Sequence, residues 1–352
     1  MRAHVVATVT TLVALQMAAP AAQPPTPQPT FRTGTTLVEV SAIVTRDGQP
    51  VTDLRADEVT VLDNGTEQPI VAFEHVDLAA ARGAAQRRDF VIVIDNLHID
   101  ATRSTQTIDT ALAVIAQLGP HDRLAVATTG LPDDPLDFTT DREAARAFVR
   151  HVRGQQANRR SVGRGELDLA ARSAMARLAG VAAAMRSDAE RRSILFISEG
   201  HPTLGTGVES RRNDTGNGYV EFLDVLRHAA LANVAIYTVD PRGLRAPGGA
   251  DVASREVPLS VDSVSSWADD VQGSLAVLAL NTGGIQTRWT NDLSANVDRM
   301  IQDSRQYYRL AYAQPDPPPG KKQPSTRSIK VEVSREGVDV RARQRYAPVS
   351  GS

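Results

Sequence analysis

The run Phe90-Val91-Ile92-Val93-Ile94, closed by Asp95, narrows the choice of fold more than any other stretch of this sequence. Four of its five residues are β-branched, which suits a strand. No polar residue alternates among them, so both faces must be covered, as in a parallel sheet with helices on each side. Beyond Asp95 the chain alternates between helical and strand patterns. Helical spacing runs from about Thr102 to Leu118, closed by Gly119-Pro120, and from Asp141 to Val152 with Thr140 as the expected N-cap. A third helix is expected from Glu166 to Met185, where Leu167, Ala171, Ala174, Leu178, Val181 and Met185 share one face. Buried strands are expected at Leu124 to Thr128, Ile194 to Ile197 and Val234 to Val239, and a short one at Ile285 to Arg288. Further helices are expected at Tyr219 to Leu231, Ser266 to Leu280 and Leu293 to Ser304. Strand and helix in alternation predict an α/β domain over 88–304, built on a doubly wound, mostly parallel sheet.

The two ends of the chain have a different period. Val38, Val40, Ala42 and Val44 alternate with other residues, Asp47-Gly48 supplies a hairpin turn, and strands are expected at Val59 to Leu62 and Pro69 to Phe73, separated by Asp63-Asn64-Gly65. This is a β unit over 34–78, with Asp77 to Arg88 as a linker or short helix. Residues 305–348 return to β at Tyr307 to Ala313, Arg327 to Ser334 and Val338 to Arg345. Neither end has enough strands for independent stability, so the two are expected to pack together as one small β-sandwich.

Arg2 and His4 precede an apolar run from Val5 to Ala18, with small residues Ala19, Ala21 and Ala22 after it. This reads as a secretory signal over 1–22, followed by a Pro-rich linker over 23–33, and predicts a periplasmic or secreted protein. No later stretch is long and apolar enough for a membrane span. Lys+Arg number 39 against Asp+Glu 41, so the net charge of -2 offers no general attraction to nucleic acid. Aromatic residues at 4% do not support base stacking either. The local cluster Arg150, Arg153, Arg159, Arg160 and Arg164 reads as a solvated loop.

The chain has no cysteine, which excludes disulfides, thiolate nucleophiles, zinc–thiolate sites and iron–sulfur clusters. Its seven histidines include no His-x-x-x-His pair, and neither a Gly-x-Ser-x-Gly elbow nor a Gly-Lys-Ser/Thr phosphate loop is present. Asp133-Asp134 lies between prolines and Asp269-Asp270 early in a helix, where acidic residues are favoured without any catalytic role. The reading is of a protein that is not an enzyme.

In their order and spacing, several segments resemble the bacterial von Willebrand factor A-related family of acidobacterial type. They are Leu37-Val38-Glu39-Val40, Asp47-Gly48, Pro50-Val51, Leu54, Val61-Leu62-Asp63-Asn64-Gly65, Phe90 to Asp95, Thr282-Gly283-Gly284, Tyr307 to Tyr312 and Ile329-Lys330-Val331. The resemblance implies a domain that binds partners at its strand-end loops. Members that do so through a metal carry Asp-x-Ser-x-Ser after the first strand, a threonine from a second loop and an aspartate after the fourth strand, hard oxygens that converge on Mg2+. Here the first loop is Asp95-Asn96-Leu97-His98-Ile99, and Leu97 and Ile99 cannot ligate. Gly163-Arg164-Gly165-Glu166 stands at the second loop without a threonine, and Ser198-Glu199-Gly200 stands at the third. That leaves Asp95 and Glu199 as oxygen donors.

The expectation is a degenerate site without a cofactor. Asp95, Asn96, His98, Asp100 and Glu199 are its candidate binding residues: Asp95 would accept backbone N–H groups, Asp100 would cap the next helix or help a degenerate site, and His98 would be an ordinary loop residue rather than a ligand. An unknown protein partner would contact these loops. Mg2+ held by Asp95 and Glu199, and an enzyme on a flavodoxin-like scaffold, are the alternatives. The Gly-rich segments Gly200 to Gly218 and Pro241 to Ser265 read equally as recognition surface and as disorder.

Overall fold

A computed structural model describes residues 36–78, 87–130, 136–156, 164–186, 189, 191–200, 219–242, 273–287 and 294–348, and the structural statements below concern these. The expected signal and linker, Asp133-Asp134, Arg159, Arg160, Asp269-Asp270 and most of the segments Gly200 to Gly218 and Pro241 to Ser265 lie outside the described residues. No described helix is long and apolar enough to cross a membrane.

The strands are β1 (Leu37–Arg46), β2 (Gln49–Pro50), β3 (Val59–Asp63), β4 (Thr66–Gln68), β5 (Ile70–Asp77), β6 (Arg88–Ile94), β7 (Arg123–Thr128), β8 (Arg191–Ile197), β9 (Val234–Val239), β10 (Gln286–Thr287), β11 (Gln306–Ala313), β12 (Arg327–Val333), β13 (Asp339–Ala342) and β14 (Arg345–Tyr346). The helices are α1 (Ser104–Gln117), α2 (Arg142–His151), α3 (Arg164–Ala184), α4 (Tyr219–Leu231), α5 (Gly273–Thr282) and α6 (Ser294–Asp303). The protein is mixed α/β, with one parallel sheet and two antiparallel ones.

The parallel sheet has the order β10-β9-β8-β6-β7. All seven residues of β6 are buried. Burying a large apolar side chain contributes about 1.5–3 kcal/mol, more than the roughly 1 kcal/mol spanned by strand propensity, so the apolar run places β6 at the centre. Val91 and Val93 face α3, α4 and α5 through Leu178, Val225 and Leu278. Phe90, Ile92 and Ile94 face α1, α2 and α6 through Val114, Val149 and Met300. The polar residues that open β6 are compensated: Arg88 makes a two-pronged pair with Asp122 at 2.8 and 2.5 Å, and Asp89 accepts from Arg123 at 2.9 and 2.6 Å.

Two expectations about local structure need correction. The N-cap of α2 is Asp141, not Thr140: its carboxylate accepts from the N–H groups of Glu143 and Ala144. Thr139 pairs antiparallel with Leu124, so the chain stays extended for one residue longer than the helical spacing suggested. The first helix also starts later, because a 3-10 turn over Ala101–Arg103 precedes α1. At the end of α5, Gly284 lies against β9 so closely that a Cβ would meet the Ile236 carbonyl oxygen at 1.9 Å.

The antiparallel sheets join the two ends of the chain. One has the order β13-β1-β11-β5 with β2 beside β1, the other β14-β12-β3-β4. Asp47 and Gly48, and again Asn64 and Gly65, have positive φ at both central turn positions, the geometry that closes two-residue hairpins. Val38, Val40, Ala42 and Val44 of β1 meet Val61, Tyr308, Leu310, Tyr312, Ile329 and Tyr346 in one core. Tyr307 and Tyr308 are both buried. The last expected strand is split into β13, which pairs with β1, and β14, which pairs with β12. β5 runs to Asp77 rather than ending at Phe73.

Within the shared core, the Asp63 carboxylate accepts hydrogen bonds from the hydroxyls of Tyr312 and Tyr346, each at 2.9 Å, and from Arg327 Nε at 2.6 Å. One buried charge thus ties β3 to β11, β14 and β12.

Candidate functional site

The order of the parallel sheet reverses between β6 and β8: the chain passes from β6 to β7 on one side, and β8, β9 and β10 continue on the other. In open α/β sheets, ligands bind at such a reversal, outside the carboxyl ends of the strands. Asp95, Thr129, Ser198 and Asp240 follow β6, β7, β8 and β9 directly. Strand side chains alternate faces, and Val93, Ala127, Phe196 and Ile236, two or four residues earlier, belong to one core face. The four polar residues are therefore in phase along one edge of the sheet.

Three of them form a closed cluster. Asp95 is fully buried; its Oδ1 accepts from Thr129 Oγ1 at 2.7 Å and contacts His98 Nδ1 at 2.9 Å, and its Oδ2 accepts from Ser198 Oγ at 2.6 Å. The Asp95–Ser198 bond spans the reversal itself. Ser198 Oγ in turn accepts from the Gly200 N–H at 3.0 Å, and Asn96 Oδ1 accepts from the Gly130 N–H at 2.8 Å. The His98 N–H closes the turn onto the Asp95 carbonyl at 3.0 Å, which holds the imidazole over the carboxylate.

The surrounding loops are fastened to this cluster. Glu199 Oε1 accepts from the Asp100 N–H at 2.9 Å, joining the loops after β8 and β6. Asp100 caps the 3-10 turn, and the Thr102 hydroxyl, then the Thr102 N–H, hold its carboxyl below the usual range. Arg242 grips Asp240 and also donates to the Glu199 carbonyl at 2.9 Å, joining the loops after β9 and β8. Gln155 and Gln156 donate backbone N–H groups to the carbonyls of Asn96 and Ile99.

Gly154 permits this last approach, since a Cβ there would lie 2.4 Å from the Ile99 carbonyl oxygen and 2.7 Å from that of Asp100. Gly154→Ala is expected to push the 96–100 loop away and destabilise the protein by about 1–3 kcal/mol, the usual range for overpacking. Equilibrium unfolding in urea checks this; an unchanged midpoint would show that the loop is not held from this side.

The structure brings together Asp95, Asn96, His98, Asp100 and Glu199, and it changes the expected roles of two of them. The Asp95 carboxylate is bonded by the side chains of Thr129, Ser198 and His98, a role beyond the backbone N–H acceptance anticipated. His98 is 2% exposed and part of the cluster, not an ordinary loop residue. The oxygen inventory also grows beyond Asp95 and Glu199. Thr129 comes from the loop directly after β7, not from the Gly163 to Glu166 region, and Ser198 contributes its hydroxyl. Asp240 and Arg242 were missed as well; the rule that places recognition at strand ends would have singled out Thr129 and Asp240. Ile99 is buried against the α1 side of the sheet. Among the described residues, no group of three or more His, Cys, Asp or Glu is arranged to hold a metal ion.

No family model matches the chain, and no curated protein matches its sequence. Among solved structures, the chain is similar to an aerotolerance-related membrane protein from Bacteroides fragilis NCTC 9343, crystallised with multiple mutations to serines. The similarity extends over 62% of this chain and 97% of that one, at 13% identity and a TM-score of 0.34.

Proposed function

We propose that the chain is an exported, von Willebrand factor A-like binding module of the cell envelope, which captures a protein partner through the loops at the carboxyl edge of its parallel sheet and needs no divalent ion to do so. The reading is supported by a sheet wound outward in two directions from β6, with polar loops fastened together at the reversal. The observation that carries it is the engagement of both Asp95 carboxylate oxygens by Thr129, His98 and Ser198. Mg2+ requires near-octahedral oxygen coordination. Leu97 and Ile99 offer hydrocarbon where two ligands would be needed, and the two hydroxyls spend their protons on the carboxylate. The residues present do not fit a divalent cage. They fit a rigid platform, which lowers the ordering cost of binding. No catalytic role is proposed.

The test is affinity capture from an envelope extract on the immobilised full chain, in EDTA and in Mg2+, with a variant lacking residues 201–218 and an Arg242→Glu variant alongside. The expected result is one partner retained equally in EDTA and Mg2+ and lost from both variants. Capture abolished by EDTA would favour adhesion through a metal at Asp95 and Glu199. A turnover that disappears with a single side chain would favour an enzyme.

A further inference from the structure

The parallel sheet meets the antiparallel strands through a cluster of charges at its opposite edge. Four arginines have side chains that are buried in the described structure, and two of them, Arg88 and Arg327, are ion-paired with Asp122 and Asp63. The other two, Arg191 at 2% exposure and Arg343 at 4%, make no ion pair among the described residues, and the Nε of each is buried without a hydrogen-bond partner. Arg191 opens β8 with its guanidinium carbon 4.7 Å from the centre of the Tyr307 ring, and it faces the Tyr237 hydroxyl. Arg343 reaches from the segment after β13 to donate to Asn233 Oδ1 at 2.7 Å.

The carboxylates nearby are otherwise engaged. Asp303 accepts from Arg341 at 2.5 Å and from the Tyr237 hydroxyl at 3.2 Å, and Glu39 accepts from Asn233 Nδ2 at 2.6 Å. Asp89, which acts on the neighbouring Arg192, is held by Arg123. Arg191, Arg341 and Arg343 thus face Glu39 and Asp303, an excess of positive charge in a buried place. Burial first, and then the charge of Arg191, push the Arg343 guanidinium down to about 10. Buried charge without compensation is expensive, and a natural core meets that expense by pairing.

We propose that Arg191 and Arg343 hold a small monovalent anion of the halide class between them, where the parallel sheet and the antiparallel strands meet. Two orphaned N–H donors supply its hydrogen bonds, and the surplus guanidinium charge supplies its counter-charge. A halide is favoured over phosphate because both guanidinium groups are buried, and the cost of removing an ion from water rises steeply with its charge. The ion would act as a clasp: Arg191 belongs to β8 and Arg343 to the segment that joins β13 to β14.

The test is crystallography of the full chain in sodium bromide, reading anomalous difference density, together with thermal unfolding in chloride against methanesulfonate at equal ionic strength. The expected results are a bromide peak in hydrogen-bond range of both guanidiniums and a midpoint about 2 °C higher in chloride at tenfold excess over Kd. That rise should vanish in Arg343→Met. Density typical of water at this position, bromide only on the surface as an adventitious ion, or equal midpoints in the two salts would each overturn the proposal. The bromide data come from the unmutated chain, so the proposal stays open to refutation even if the variant does not fold.

Discussion

Replacing Asp63 by alanine is expected to lower the unfolding free energy by about 3–5 kcal/mol, the range for removing one partner of a buried ion pair. The change leaves the Arg327 guanidinium, 8% exposed, without its carboxylate, and it strands the hydroxyls of Tyr312 and Tyr346. Burial pushes both phenols well above their usual range, so they stay protonated and remain donors in mildly alkaline solution. Tyr312→Phe, which removes one donor and leaves the pair intact, should cost only about 1 kcal/mol. Urea denaturation of the three proteins checks the ranking. Equal losses in the two variants would mean that the carboxylate is not the hub joining β3 to the C-terminal strands.

Asp95→Ala is the second large effect, at about 3 kcal/mol. It leaves the Thr129 and Ser198 hydroxyls and the His98 imidazole without their shared acceptor, and each buried group left unpaired costs about 1–3 kcal/mol, offset in part by rotation of the hydroxyls. The sign separates two accounts of this residue. A carboxylate poised for a cation gains little from its neighbours when no cation is supplied, so in EDTA its removal would be neutral or stabilising. A carboxylate that serves as the hub of a hydrogen-bonded cluster is missed under every condition. A loss of stability in EDTA that matches the loss in Mg2+ is therefore expected, and a loss confined to Mg2+ would assign Asp95 to a metal.

Some of this arrangement is legible in the sequence because it depends on neighbours in the chain. The apolar run before Asp95 announces a strand covered on both faces, Asp47-Gly48 and Asn64-Gly65 announce hairpins, and the spacing over Tyr219–Leu231 gives the bounds of α4. The shortage of strands at either end of the chain points to their joining, but not to the pairing of β1 with β11 rather than β12, which rests on register between residues far apart. The site was harder to read for the same reason. Thr129 and Ser198 lie 34 and 103 positions from Asp95, and only the pairing of β6 with β7 and β8 brings them to its carboxylate. His98 looked like a loop residue because burial, which turns a polar side chain into a committed partner, leaves no mark on the residues beside it. Gly154 gave no sign either, since what it accommodates is the backbone of Ile99 and Asp100.

The most direct test of how this edge of the molecule works is calorimetric unfolding of the full chain in EDTA, then in rising millimolar Mg2+ and Mn2+. A midpoint unmoved by either ion is expected, because the Asp95 oxygens are already committed to Thr129, His98 and Ser198. A saturable rise, worth about 2.7 kcal/mol at a hundredfold excess over Kd and abolished by Asp95→Ala, would contradict it.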